Sequence, residues 1–133
     1  MPIETALSSA MKTIPDCIAA GYVDMETGML LGLQETEDGH ANLLGNLALA
    51  VANLFQGRGI AAFEELLRTA GVDESEHPGF GEIAVFSDDR LHIFLRTPDY
   101  PDHVVCYICQ DSTNVGLALT KSHLSLGPVV AAV

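Results

Sequence analysis

The chain is expected to fold as an α+β domain with five antiparallel strands, and three features of its sequence carry that expectation. The first is the stretch from His40 to Gln56, which holds no Asp, Glu, Lys or Arg and whose apolar residues recur at helical spacing. The second is a pair of short apolar runs flanking Asp24-Met-Glu-Thr-Gly28, a pattern that reads as a hairpin with Gly28 free to take a positive φ. The third is a switch to period two beyond residue 80, where three β-branched and aromatic runs follow one another. At 133 residues the whole chain, 1–133, is expected to be one domain, large enough for a core without disulfides or metal.

Taken in order, Ile3 to Thr13 has apolar residues at 3, 6, 7, 10, 11 and 14, a helical period that Pro15 stops. Cys17 to Asp24 is uncharged until its end and reads as a buried strand. Its Cys17, Ala19 and Gly21 face is small enough for a helix to approach closely. Met29 to Gln34 is the returning strand. Glu35-Thr-Glu-Asp-Gly39 then places three carboxylates before the central helix, where its N-terminal dipole favours negative charge by about 0.3–1 kcal/mol each at low salt.

On a helix, residues 40–56 gather Leu43, Leu44, Leu47, Val51, Leu54 and Phe55 on one side. Ala41, Gly45, Ala48 and Ala52 form an adjacent stripe of small residues. Asn42, Asn46, Asn53 and Gln56 make a thin neutral strip, interrupted by Leu49. A helix on the surface of a monomer normally turns a charged face to water, whereas one apolar nearly all round is buried. Two apolar faces call for two neighbours. The large side is expected to cover the protein's own sheet, and the small stripe to meet the same helix of a second subunit. The mid-helix Gly45, which costs about 1 kcal/mol relative to Ala, is consistent with such a close backbone approach.

Gly57-Arg-Gly59 ends or kinks that helix, and Ile60, Phe63, Leu66, Leu67 and Ala70 mark a second, amphipathic segment up to Gly71. Val72 to Gly79 is an acidic loop. Strands are expected at Glu82–Ser87, Leu91–Arg96 and His103–Cys109, with a tight turn at Asp88-Asp89-Arg90. Asp111, Ser112 or Thr113 can cap a last helix that begins near Asn114 and that Gly127-Pro128 is expected to break. The strand at 82–87 carries apolar groups on both faces, Ile83/Val85 and Ala84/Phe86. It is expected at a sheet edge, paired there with its copy, because an uncovered edge of that kind invites aggregation.

Composition narrows the function classes. A net charge of −12 with six scattered basic residues leaves no basic patch for nucleic acid or an anionic membrane. The uncharged run from Ala41 to Phe55 is shorter than the roughly 20 residues of a membrane span, and no apolar signal region opens the chain. A soluble, cytoplasmic protein is expected. Apolar content of 48% and a mean hydropathy of +0.27 are high for such a chain, in line with apolar surface held in an interface.

Residues with the spacing of a catalytic or metal site are sparse. Cys106-Tyr-Ile-Cys109 has C-x-x-C spacing, but on a strand residues three apart point to opposite faces, and Cys17 stands alone in the sequence. The thiols read as buried structural cysteines. Gly57-Arg-Gly59 lacks the residues of a phosphate loop and follows a helix rather than a strand. His92 and His103 fall on neighbouring strands and could face solvent as a pair. Arg90, His92, Phe94 and Arg96 share one strand face, a polar or simply solvated surface, with Leu91, Ile93 and Leu95 on the other. No enzymatic activity and no cofactor is expected.

With the elements in this order, the sequence resembles the Roadblock/LC7 family, small domains found among dynein light chains and bacterial regulators of Ras-like GTPases. The resemblance is carried by Ile18-Ala-Ala-Gly-Tyr-Val-Asp24 with Gly28 and Met29–Leu33, by the uncharged helix 40–56, and by Asp111-Ser-Thr-Asn-Val-Gly-Leu117, similar to the family's Asn-x-Gly-Leu opening of its last helix. It covers roughly residues 3–126, and the stretch 57–80 is longer than the family's usual link. What the resemblance implies is a five-stranded antiparallel sheet with a long helix on one face and the terminal helices on the other, related to the profilin fold. It also implies a homodimer through the long helix and third strand, and a scaffold or regulator of a small Ras-like GTPase or other signalling protein. The interface residues expected on these grounds are Ala41, Gly45, Ala48, Leu49, Ala52, Ile83 and Val85. A dimeric sensor holding a small ligand between sheet and helix is the competing expectation.

Overall fold

The computed structural model describes residues 2–36, 47–71, 81–87, 90–110 and 114–133, with residues 47–49 described by their backbone. In chain order the elements are helix α1 (Ile3–Thr13), strands β1 (Cys17–Asp24) and β2 (Met29–Glu35), helices α2 (Leu47–Gln56) and α3 (Arg58–Thr69), strands β3 (Glu82–Phe86), β4 (Arg90–Arg96) and β5 (His103–Gln110), and helix α4 (Val115–Ala131). The strands form one antiparallel sheet in the order β2-β1-β5-β4-β3, so β5 is central and β2 and β3 are the edges.

Register explains why the sheet can be covered on both faces. Leu91, Ile93 and Leu95 stand opposite Cys109, Tyr107 and Val105, so one apolar set from each strand reaches the same face. There they pack with Leu7 and Ala10 of α1 and with Ala118 and Val129 of α4. The alternate residues Val23, Phe94, Val104 and Cys106 reach the other face and meet Val51 and Phe55 of α2. Cys106 and Cys109 therefore lie in different cores, as their spacing on a strand requires.

α1 ends where Ile14 takes an extended conformation before Pro15, whose ring disfavours helix in the preceding residue. It crosses β2 closely: a Cβ on Gly32 would sit 3.1 Å from Ile3 Cγ1 and 3.2 Å from Leu7 Cδ1. The β1–β2 hairpin closes through Gly28 N–H to Asp24 O, with Gly28 at φ 72° and the Asp24 carboxylate accepting from Glu26 N–H.

Four expectations need correction. The small face of β1 is not Cys17, Ala19 and Gly21: the register slips between Cys17 and Ala19, an extra residue that turns Cys17 to the side of Ala20 and Tyr22. The last helix is capped by Asn114 itself, whose Oδ1 accepts from Leu117 N–H at 3.1 Å. That helix also runs through Gly127 and Pro128 to Ala131. Pro128 removes one helical donor near the end, but Val129 is fully buried against the core and holds the final turn in place. Finally, His92 stands opposite Ile108 while His103 stands opposite Asp24 at the far end of the ladder, so the two histidines do not pair. The expected helix over 40–46, the acidic stretch 72–79, the Asp88-Asp89 turn and residues 111–113 lie outside the described residues.

Candidate interaction surface

β3 is one of the two sheet edges, and among the described residues no strand pairs with its outer side. Two backbone bonds fix how it faces: Ser87 N–H donates to Arg90 O at 2.9 Å, and Arg96 N–H donates to Gly81 O at 2.8 Å. In an antiparallel ladder bonded and non-bonded pairs alternate. Residues 83 and 85 therefore turn their backbone groups toward β4, and the N–H and C=O groups of Glu82, Ala84 and Phe86 point outward. That outward row is a template for a further strand.

The side chains beside this edge are apolar on both faces. Ile83 stands opposite Phe94 and Val85 opposite His92, on the face that α2 covers; Ile83 is half-buried there, whereas Val85 is 38% exposed. On the other face Phe86 is 65% exposed, and Glu82 accepts from or pairs with His123 of α4 at 3.1 Å. Helix α3 adds to the exposed apolar area. It contains no buried residue, and its Phe63 and Leu66 are exposed.

α2 turns one side to the sheet and another to solvent. Val51 and Phe55 are buried on the sheet, and Arg96 lies over the Phe55 ring at 5.0 Å. This places Phe94 and Arg96, expected on a polar or solvated strand face, beneath α2 rather than in open solvent. Ala50, Asn53 and Gln56 are exposed, a neutral surface without charge. Of the expected contact residues, Ala41 and Gly45 lie outside the described residues, and Ala48 and Leu49 are placed on α2 by their backbone. Ala52 is half-buried against the sheet core, so it stands at the margin of the outward stripe rather than at its centre. The helix ends at Gly57, which takes an extended conformation (ψ 164°), and glycine suits the position because a Cβ there would sit 2.4 Å from Asn53 O.

Other groupings have a structural account. Tyr22 OH and His103 Nδ1 are 2.8 Å apart, His103 Nε2 is 4.0 Å from Asp24 Oδ2, and Tyr100 stacks on the His103 ring. The cluster ties β1 to the β4–β5 connection, where Thr97 Oγ1 donates to Tyr100 O. Burial pushes the Tyr22 hydroxyl up to about 12, which keeps it protonated. Among the described residues no three His, Cys, Asp or Glu side chains are grouped as a metal site, and no helix is long and apolar enough to cross a membrane. An apolar cavity of about 290 Å³ lies between α1 and α4, with Lys121 at its wall.

Solved structures share this arrangement. A gliding protein, MglB, from Thermus thermophilus superposes with a TM-score of 0.72 at 14% identity over 98% of this chain and 87% of its own. Myxococcus xanthus MglB does so with a TM-score of 0.70 at 16% identity, over 97% and 85%. A Roadblock/LC7 domain from Streptomyces avermitilis gives 0.61 at 11% identity, over 98% and 97%. The chain has the Roadblock/LC7 fold. No protein-family model and no curated protein sequence matches it. What the chain shares with these structures is the order of elements and the two-sided sheet, at identities that show fold rather than side chains.

Proposed function

We propose that this chain is a homodimeric scaffold that regulates a small Ras-like GTPase, acting by binding and without a catalytic group of its own. The observation that carries the reading is the outward edge of β3, apolar on both faces and adjoining the uncharged helix α2. In the dimer, β3 pairs with its copy so that one sheet runs through both subunits. The two α2 helices meet along Ala41, Gly45, Ala48, Leu49 and Ala52, and Ile83 and Val85 line the seam. Symmetry then gives two copies of any partner site. The GTPase follows from the Roadblock/LC7 resemblance, and likeness to two MglB structures supports it. A ligand-holding sensor has less support, because the described contact between α2 and the sheet is filled by Val51, Phe55, Phe94 and Val104.

The test is sedimentation of the wild type and of Ala48→Glu, followed by titration of each with a Ras-like GTPase from the same organism. The wild type is expected to be a dimer that binds the GTPase and changes its rate of nucleotide hydrolysis or exchange. Ala48→Glu is expected to be monomeric or insoluble. A soluble Ala48→Glu dimer of unchanged affinity would remove the helix contact, and a dimer indifferent to the GTPase would remove the regulatory role.

A further inference from the structure

Cys17 and Cys109 stand opposite each other on β1 and β5. The Gln110 N–H donates to Asp16 O at 3.0 Å, a bond that joins the residues just outside this pair. Cys17 and Cys109 thus occupy a non-hydrogen-bonded position of the ladder, where Cα atoms are about 4.5 Å apart and side chains approach most closely. A disulfide accepts Cα separations from about 4.4 Å upward. Both thiols are free and lie in the core shared with α1 and α4, because the slip in register after Cys17 turns it to the face of Cys109. Cys106, in the core beneath α2, is on the wrong side of the sheet to join them.

We propose that Cys17 and Cys109 are a redox-active dithiol, closed to an intramolecular disulfide by a hydroperoxide. The oxidant has to be small, since Cys109 is fully buried and Cys17 is 8% exposed. The Cys17 thiol donates to Ala19 O at 3.4 Å, and the closeness of the two sulfurs pulls Cys109 below the usual thiol range and holds Cys17 above it. The thiolate is therefore favoured on Cys109 with Cys17 as the protonated neighbour, and the peroxide reaches it past Cys17, the more exposed of the two. The thiolate attacks one peroxide oxygen, the O–O bond breaks, and a sulfenic acid forms while the departing alkoxide or hydroxide takes a proton. The neighbouring thiol then attacks the sulfenic sulfur, the S–S bond forms, and water leaves with the last thiol proton. In sum, two thiols and one hydroperoxide give one disulfide, one alcohol or water, and one further water. The crosslink ties the start of β1 to the end of β5 on the α1/α4 face, away from α2.

The experiment uses the full chain, folded, incubated with hydrogen peroxide, then unfolded, alkylated and mapped by mass spectrometry. The expected result is loss of two hydrogens, one linked peptide pair joining Cys17 to Cys109, a Cys106 that alkylates as a free thiol, and reversal by dithiothreitol. The Cys106→Ala variant should give the same link, and Cys17→Ala should lose it. Retention of all three thiols, oxidation to sulfinic acid without a link, or a disulfide that takes Cys106 or joins two chains would each overturn the proposal. The map of the wild type decides the matter even where a cysteine variant folds poorly.

Discussion

Val85 turns its N–H toward β4, and Ala84 turns its N–H away from the sheet, so neighbouring prolines on β3 should do different things. Ala84→Pro deletes an outward donor while the ladder to β4 stays whole, and it should weaken dimerisation with little change in the monomer. Val85→Pro breaks the ladder itself and should destabilise the fold; sedimentation and denaturant titration separate the two effects. Equal behaviour of the two variants would contradict the register. Tyr22 gives a second residue-scale expectation. Its folded value, near 12, lies above the ordinary 10, so the folded state holds the proton more tightly. The stability this contributes is complete below pH 10 and is lost as the pH rises toward 12. Tyr22→Phe should flatten denaturant midpoints in that window, and an unchanged slope would count against the buried hydroxyl. At this scale the sequence is least readable. Cys17 is alone in the sequence and paired in space, because a single extra residue in β1 reverses the face to which it points.

Elements are more legible, since their signals are local. The 3.6 period over Ile3–Thr13 and the alternation over Leu91–Leu95 both describe how a face is buried, and burial then follows them. Punctuation is harder to read. Gly127-Pro128 looks like a stop, yet the packing of Val129 outweighs one missing helical bond. The cap of that helix is similarly hidden: Asp111, Ser112 and Thr113 are the candidates in the sequence, and the geometry selects Asn114, the residue after them. Asn114→Ala should cost about 1 kcal/mol, measured by chemical denaturation, with no change in midpoint if the cap is idle. Gly57 is a break of another kind. Its Cβ position is occupied by Asn53 O, so Gly57→Ala must shift the backbone between α2 and α3. A loss of about 1 kcal/mol or more is expected, and an equally stable variant would show that the junction can straighten freely.

For the whole molecule, the two-sided covering of a five-stranded antiparallel sheet is implied by the resemblance to Roadblock/LC7 domains, whereas the strand order β2-β1-β5-β4-β3 is supplied by the structure. The surface by which it would meet a partner could be anticipated only in part: an uncharged helix signals burial without saying against what, and Ala52 is already half-turned to its own sheet. Hydrogen exchange on progressively diluted protein tests the assembly directly. If β3 pairs with its copy, two sets of amides within one strand must respond differently. Those of Ile83 and Val85 bond to β4 and should remain protected in the monomer to the extent that the edge strand is stable. Those of Glu82, Ala84 and Phe86 have no strand beyond them among the described residues of the single chain, so strand pairing can protect them only through the second subunit. The alternating pattern should therefore appear on dissociation and vanish on association, with a midpoint at the dimer dissociation constant found by sedimentation. Uniform protection at every dilution, or loss of all five amides together, would mean that β3 is shielded in another way and that the continuous sheet is wrong.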